Sequence, residues 1–455
     1  MPATLPDGAS SPTLARRLGA GDVTLIVMGG IVGSGIFINP YLVARQVHTP
    51  FLIFAAWAAG GAIALAGALI YAELAARRPA VGGQYAYLRE AFHPALAFVY
   101  AWGLLLVTQS GGMAAVAITF ARYFRELTGA PLADGAVGAL VLGGLTLVNC
   151  LGVRAGTSVQ NGLMLLKILA LAALVGCGLL LVPPAAEPAR AGLLDRPPSL
   201  DLLTAFGAAL VPVLFAYGGW QTASFLAGEV REPRKNLPRG LIAGVAGVVV
   251  LYLLVNVVCL RALGTYGLAA TGTPASGVMR AALGGTGGRL IAAGIAISTL
   301  GFLSQSMLTA PRVYYALAAD GLFFRGVARL HPRSRVPVLA IALQGIWAVV
   351  IALSGRYEEI LNYVVSVDWI FFGLAAASLF VLRRRDGPAA AAFVTPGHPW
   401  TTAAFVAVSA LVVVNTTYKY PANSAVGLAI LAAGVPVYAL WRWRQRQLAE
   451  IRVDR

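Results

Sequence analysis

Two glycine clusters lie inside long apolar segments, at Gly29-Gly30-Ile31-Val32-Gly33-Ser34-Gly35 and at Phe215-Ala216-Tyr217-Gly218-Gly219-Trp220. A helix broken inside a bilayer exposes N–H and C=O groups that hydrocarbon cannot satisfy, so such a break is tolerated only where it lines a polar cavity. After the first break a second short helix begins near Ile36. The amides of Ser34 and Gly35 at its start, backed by the positive end of the helix dipole, suit a carboxylate. Gly33 permits the turn and lets a ligand approach the backbone. The carbonyls freed at the C-terminal ends of the two half-helices, from Ile31 and from Phe215 through Ala216 to Gly218, suit an ammonium group. An anion site beside a cation site matches the charge pattern of an α-amino acid zwitterion, and matches neither a sugar nor a simple inorganic ion.

The elements that must position these groups are membrane helices. Of 455 residues, 58% are hydrophobic and 11% charged, with a mean hydropathy of +0.77, and apolar runs of roughly 20 residues recur throughout. The pattern predicts an all-α polytopic membrane protein with twelve transmembrane helices, at 22–47, 51–76, 95–123, 135–151, 156–182, 202–229, 239–263, 288–318, 336–354, 359–382, 400–418 and 422–441. Matched breaks in helices 1 and 6 predict a five-plus-five inverted repeat, an architecture that places a transporter's site at the midplane where the two discontinuous helices meet. The expected organisation is a cytoplasmic tail over 1–21, a first repeat over 22–182, a second over 202–382, helices 11 and 12 over 400–441, and a cytoplasmic tail over 442–455.

The net charge of +16 forms no continuous stripe, which argues against nucleic acid as a partner. Its clusters, at Arg77-Arg78, Arg231 to Arg239, Arg325 to Arg335 and Arg383-Arg384-Arg385, all fall on the side that the positive-inside rule assigns to the cytoplasm. Both termini are therefore expected in the cytoplasm and the chain in the cell membrane, with the first span acting as its own signal because residues 1–20 lack the apolar core of a cleavable leader. Cys150, Cys177 and Cys259 lie in or at the ends of spans and make no metal motif, and His48, His93, His331 and His398 sit in loops. No cofactor, metal or catalytic residue is expected.

Charges at membrane depth are the remaining candidates. Lys167 lies thirteen residues beyond Arg154, about 20 Å deeper along a helix, too far to reach water; a functional role and a structural tether both remain open for it. Asp368 lies about a third of the way into the tenth span and either lines the side-chain end of the pocket or pairs with a basic group. Gln109, Ser110 and Gln221 are further polar candidates for that pocket. Glu73 and Glu229, near cytoplasmic helix ends, are expected to form ion pairs with Arg77, Arg78 or Arg231.

The segments GGIVGSGIFINP and FAYGGWQTASFLAGEVREPRKNLPRG resemble the first- and sixth-helix signatures of amino acid transporters in the amino acid-polyamine-organocation superfamily, most closely its L-type branch. Ala72-Glu73-Leu74, Gly82-Gly83-Gln84-Tyr85, Lys167-Ile168-Leu169-Ala170-Leu171, Ala310-Pro311-Arg312 and His331-Pro332-Arg333 add to the likeness, which spans residues 20 to about 385. The resemblance implies carboxylate binding at Ser34 and Gly35 and amine binding at the carbonyls of Ile31, Phe215 and Gly218. It makes Phe215 the aromatic lid, with Tyr217 and Trp220 as packing or gate residues. It further implies that Lys167 spans helices 1, 5 and 8 where sodium-coupled relatives bind a cation, with Ser298 or Thr299 as partners, so sodium dependence is not expected. The implied activity is alternating access with exchange of neutral L-amino acids. Cationic or proton-coupled transport, and an amino acid sensor, are the alternatives, and Asp368 departs from what a neutral-substrate member leads one to expect. Eukaryotic L-type relatives join a glycoprotein subunit through an external cysteine between helices 3 and 4. Arg125 to Gly135 has none, so no disulfide-linked heavy subunit is expected.

Overall fold

The computed structural model describes residues 18–79, 82–151, 157–185, 193–331, 336–355, 357–387 and 391–453. Arg154, Pro332, Arg333, Arg335 and residues 1–17 lie outside them. The described chain is helical, with one isolated bridge between Leu18 and Val230. In order the helices are α1 (Ala20–Ile31), α2 (Gly35–Gln46), α3 (Pro50–Arg77), α4 (Gln84–Ala91), α5 (Pro94–Gly103), α6 (Gln109–Thr128), α7 (Asp134–Cys150), α8 (Thr157–Leu180), α9 (Leu200–Ala216), α10 (Thr222–Phe225), α11 (Pro233–Ala270), α12 (Pro274–Thr309), α13 (Pro311–Ala319), α14 (Val338–Ser354), α15 (Tyr357–Asp386), α16 (Trp400–Lys419) and α17 (Pro421–Val453). Among the described residues seven helices are long and apolar enough to cross a membrane, eight if the bent pair α1 and α2 is one span, and four shorter apolar helices accompany them.

Several starts follow from local chemistry. Thr49 and Ser199 each accept the amide three residues on, Leu52 and Leu202, both at 3.2 Å, and Pro50 and Pro94 occupy first-turn positions where no N–H is needed. Between α5 and α6, Leu104–Thr108 forms one π-helical turn, so the two helices run on as a single rod with one extra residue wound into it.

The segment 264–287, expected as a loop, is largely helical. Gly264 and Gly284 adopt φ of 68° and 65°, which lets the chain turn sharply while α11 reaches Ala270 and α12 starts at Pro274. The resulting elbow buries Leu268, Ala275 and Val278, and that apolar burial favours helix over open loop.

Helices α3 and α1 both lie on α11, α6 and α8 on α12, α7 on α14, α15 on α16 and α2 on α9, with α1 also touching α10. At the end where α3 and α15 terminate, Glu73 is fully buried rather than exposed. It accepts from Arg77 Nε at 2.8 Å, Arg383 Nε and Nη2 at 2.8 and 2.6 Å, and the Thr395 amide at 2.7 Å. The expected pairing with Arg77 is present, whereas Arg78 bridges Glu90 and Asp386 and Glu229 pairs with Arg312 at 2.7 Å. Tyr85 donates to Asp320 at 2.6 Å; burial and that carboxylate push its phenol above the usual value, so it stays a donor. At the opposite end Tyr41 donates to Glu358 at 2.6 Å and Tyr357 to Asn39 at 2.8 Å.

Removing one member of a buried ion cluster strands the others. Glu73→Gln, which leaves Arg77 and Arg383 without their counter-charge, is expected to cost about 3–5 kcal/mol. A melting temperature in detergent equal to that of the parent chain would show the cluster to be dispensable.

Candidate functional site

The first break is an inverse γ-turn. Val32 has φ −73° and ψ 78°, and the Gly33 amide donates to the Ile31 carbonyl at 2.7 Å, the geometry of that turn. Helix α2 then restarts at a 43° angle to α1. Phe37 and Ile38 donate to the Ser34 carbonyl at 3.1 and 3.3 Å. The Ser34 amide itself meets no backbone acceptor among the described residues, and Gly35 and Ile36 open a helix, where amides lack intrahelical partners. The Ser34 hydroxyl, 1% exposed, is also without a hydrogen bond among the described residues. The start of α2 therefore carries amides without intrahelical partners beside an unpaired hydroxyl.

The second break follows Ala216. Gly218 donates to the Phe215 carbonyl at 3.1 Å, Gly219 takes φ 103°, and Thr222 Oγ1 closes the turn on the Gly219 carbonyl at 2.7 Å. The two breaks touch backbone to backbone. A Cβ on Gly219 would stand 2.1 Å from the Gly30 oxygen, and one on Gly35 would stand 2.5 Å from Ala216 Cα. Any side chain at Gly219 or Gly35 would force the pair apart.

Freed carbonyls are shared out unequally. The Ile31 oxygen accepts from both the Gly33 amide and Tyr252 Oη, the latter at 3.1 Å, which occupies its two lone pairs. Lys167, on α8, reaches across to the Val32 oxygen at 3.1 Å, with its ammonium 5.9 Å from the Phe302 ring centre. Neither expected hydroxyl partner meets it: Thr299 donates to the Ala296 carbonyl at 2.8 Å, and Ser298 Oγ has no partner among the described residues. At the second break, the Phe215 oxygen is met by the Tyr217 and Gly218 amides, whereas the Gly218 carbonyl accepts nothing among the described residues. The Gly218 oxygen is therefore open to an incoming donor.

A cavity of about 80 Å³ lies between the breaks. Of the residues singled out in the sequence, Ile31, Gly33, Ser34, Gly35, Phe215, Gly218, Gln109, Gln221 and Asp368 line it. Ala216, Ser110, Tyr217, Trp220, Lys167, Ser298 and Thr299 do not. Ala216 packs under Gly35, and Ser110 turns back to the Leu105 carbonyl at 2.5 Å. Tyr217 sits in an aromatic cluster with Trp57 and Tyr252, and Trp220 stacks on Phe372 at 5.2 Å, so both pack the frame instead of bounding the cavity. Phe215 does bound it and meets Tyr357 edge to face at 6.3 Å.

Sequence reasoning missed Thr108 on the π-turn and Phe302, Gln305, Ser306 and Thr309 on α12, all of which line the cavity. Gln305 and Thr309 are one helical turn apart inside an apolar span, a polar stripe that was legible. The π-turn has no sequence signature. Asp368 is the only formally charged residue of the lining. It stands within hydrogen-bonding reach of the Thr108 hydroxyl, and no basic side chain lies within 4 Å of it among the described residues.

The family model described as amino acid permease matches residues 18–441. The serine/threonine exchanger SteT of Bacillus subtilis (strain 168) is 28% identical over 429 residues, covering 93% of this chain and 96% of that protein. The human large neutral amino acids transporter small subunit 2 is 29% identical over 446 residues, covering 95% and 82%. The rabbit (Oryctolagus cuniculus) b(0,+)-type amino acid transporter 1 is 29% identical over 402 residues, covering 83% and 78%.

Because Gly219 has positive φ and abuts Gly30, Gly219→Ala is expected to cost about 1–3 kcal/mol in backbone strain alone and to separate the breaks. Its melting temperature in detergent should fall well below that of Gly143→Ala, whose new methyl group meets nothing within 4 Å; equal values would refute the close-contact role.

A match across almost the whole chain, joined to two broken helices around a shared polar cavity, places the protein: it belongs to the amino acid permease family and is a multi-span helical amino acid transporter, not an enzyme.

Proposed function

We propose that the chain is a sodium-independent exchanger of L-amino acids that works by alternating access around the cavity between the two breaks. The observation that carries this reading is the pairing, in one cavity wall, of the Ser34 amide and hydroxyl and the helix start at Gly35 with the open Gly218 carbonyl. The amino acid carboxylate sits against the amides and hydroxyl at the start of α2, and the amine against the Gly218 oxygen. Both interactions use backbone dipoles, so they recognise the part that all amino acids share. The resemblance favours neutral substrates, and SteT is by name an exchanger.

The packing of α3 on α11, α6 on α12 and α7 on α14 supports the twelve-helix, five-plus-five arrangement, since each pair joins equivalent members of the two repeats. In that arrangement both termini and the Glu73 cluster are cytoplasmic, the membrane is the cell membrane, and Phe215 under Tyr357 closes the outer side. Lys167 supports sodium independence because its ammonium already supplies the positive charge beside the freed Val32 carbonyl. The Arg125–Gly135 segment holds no cysteine, and we propose that the chain works without a disulfide-linked heavy subunit.

Purified protein in proteoliposomes is expected to take up labelled amino acid only when the vesicles are preloaded with amino acid, and equally well in sodium-free buffer. Binding without uptake under every loading condition would favour a sensor instead. Ser34→Leu should abolish binding in a protein that remains monodisperse, and retained affinity there would sink the carboxylate assignment. Lys167→Ala, which leaves the Val32 carbonyl without its donor, is expected to slow turnover at least tenfold, with unchanged kinetics reducing the lysine to a dispensable group.

A further inference from the structure

The charge balance of the cavity carries one step more, resting on the amino acid reading above. The carboxylate and amine of any α-amino acid cancel, and the backbone groups that face them are dipoles with no net charge. Everything else in the lining is neutral except Asp368. The cavity therefore holds one carboxyl group at membrane depth with no basic side chain beside it among the described residues. Lys167 does not line the cavity and donates to the Val32 carbonyl. A carboxyl group in such a setting is either held neutral by a proton or met by a counter-charge, and a cationic cargo supplies the second.

We propose that Asp368 is the counter-ion for a cationic substrate side chain, which makes lysine-like and ornithine-like amino acids the preferred class. A cargo of net charge +1 brings the occupied cavity to zero, whereas an apolar side chain would leave the carboxylate facing hydrocarbon. The surroundings suit an ammonium. The Thr108 hydroxyl shares the lining with the carboxylate. Trp369 and Phe372, which share the lining with Asp368, offer aromatic faces of the kind that attract cations. Gln109 adds a neutral acceptor on the facing helix. Asp368 is thus a specificity-determining residue, separate from the backbone groups that hold the amino acid head.

The test is competition. Inhibition constants of lysine, ornithine, serine, alanine and leucine against a labelled amino acid that is transported are measured in proteoliposomes for the parent chain and for Asp368→Asn. The parent chain is expected to bind lysine or ornithine at least tenfold more tightly than leucine, and Asp368→Asn to shift the lysine-to-alanine ratio tenfold or more toward alanine. A parent chain that transports neutral amino acids while excluding lysine and ornithine overturns the counter-ion role and leaves the exchanger reading intact. A variant whose constants all change by one common factor overturns it as well. Absence of uptake or binding for every amino acid overturns the exchanger reading itself. If Asp368→Asn fails to fold, the rank order of the parent chain still decides, and Thr108→Val, which removes a polar neighbour of the carboxylate from the lining, is expected to weaken lysine relative to alanine in the same direction.

Discussion

The structure depends on how the unpaired carbonyls at the end of α1 are satisfied. In water a broken helix end is solvated at little cost, but in a bilayer each orphan group costs several kcal/mol. Here Tyr252 from α11 supplies a hydroxyl to Ile31, and Lys167 from α8 supplies an ammonium to Val32. Two helices distant in sequence are therefore drawn to one turn of backbone, and the γ-turn at Val32 is held from both. The break is a joint with fixed fittings, and the side of it that remains unfilled is the side that faces the cavity.

That division separates structural from functional polarity. Donors to the first break come from the scaffold, which fills both lone pairs of the Ile31 oxygen and gives the Val32 oxygen an ammonium. Among the described residues nothing meets the Gly218 carbonyl at the second break, or the Ser34 amide and hydroxyl at the start of α2. What the protein leaves unpaired, in a region where unpaired groups are expensive, it leaves along the cavity between the breaks. The glycines serve the same end, because Gly30, Gly35 and Gly219 let two backbones meet where no side chain has room.

Much of this was legible in the residues. Glycines inside apolar runs located both breaks, and Lys167 and Asp368 stood out as charges at membrane depth. Three-dimensional partnering was not legible. Nothing in the sequence tells that Tyr252 fills the Ile31 carbonyl, that Tyr217 and Trp220 turn into aromatic clusters, or that Glu73 is met by Arg383, 310 positions away. Such partners depend on which helix faces lie opposite each other, and apolar periodicity blurs in helices that are buried on most sides. The helical elbow at Gly264 and Gly284 was missed for a related reason: glycine reads as a loop signal until the apolar burial around it is known.

The single π-turn at Leu104–Thr108 has a bearing on how this chain can be compared or recombined with others. One extra residue wound into a helix rotates everything beyond it by about 100°. Thr108 closes that turn and Gln109 follows it, and both line the cavity. A chimera spliced within this stretch from a parent lacking the turn would keep every amino acid and still carry Gln109, Gly112 and Val116 round toward the wrong neighbours. Alignment gaps placed elsewhere in the rod would assign lipid-facing positions to the pocket. The phase of this helix, more than the identity of its residues, decides which of them a substrate can meet.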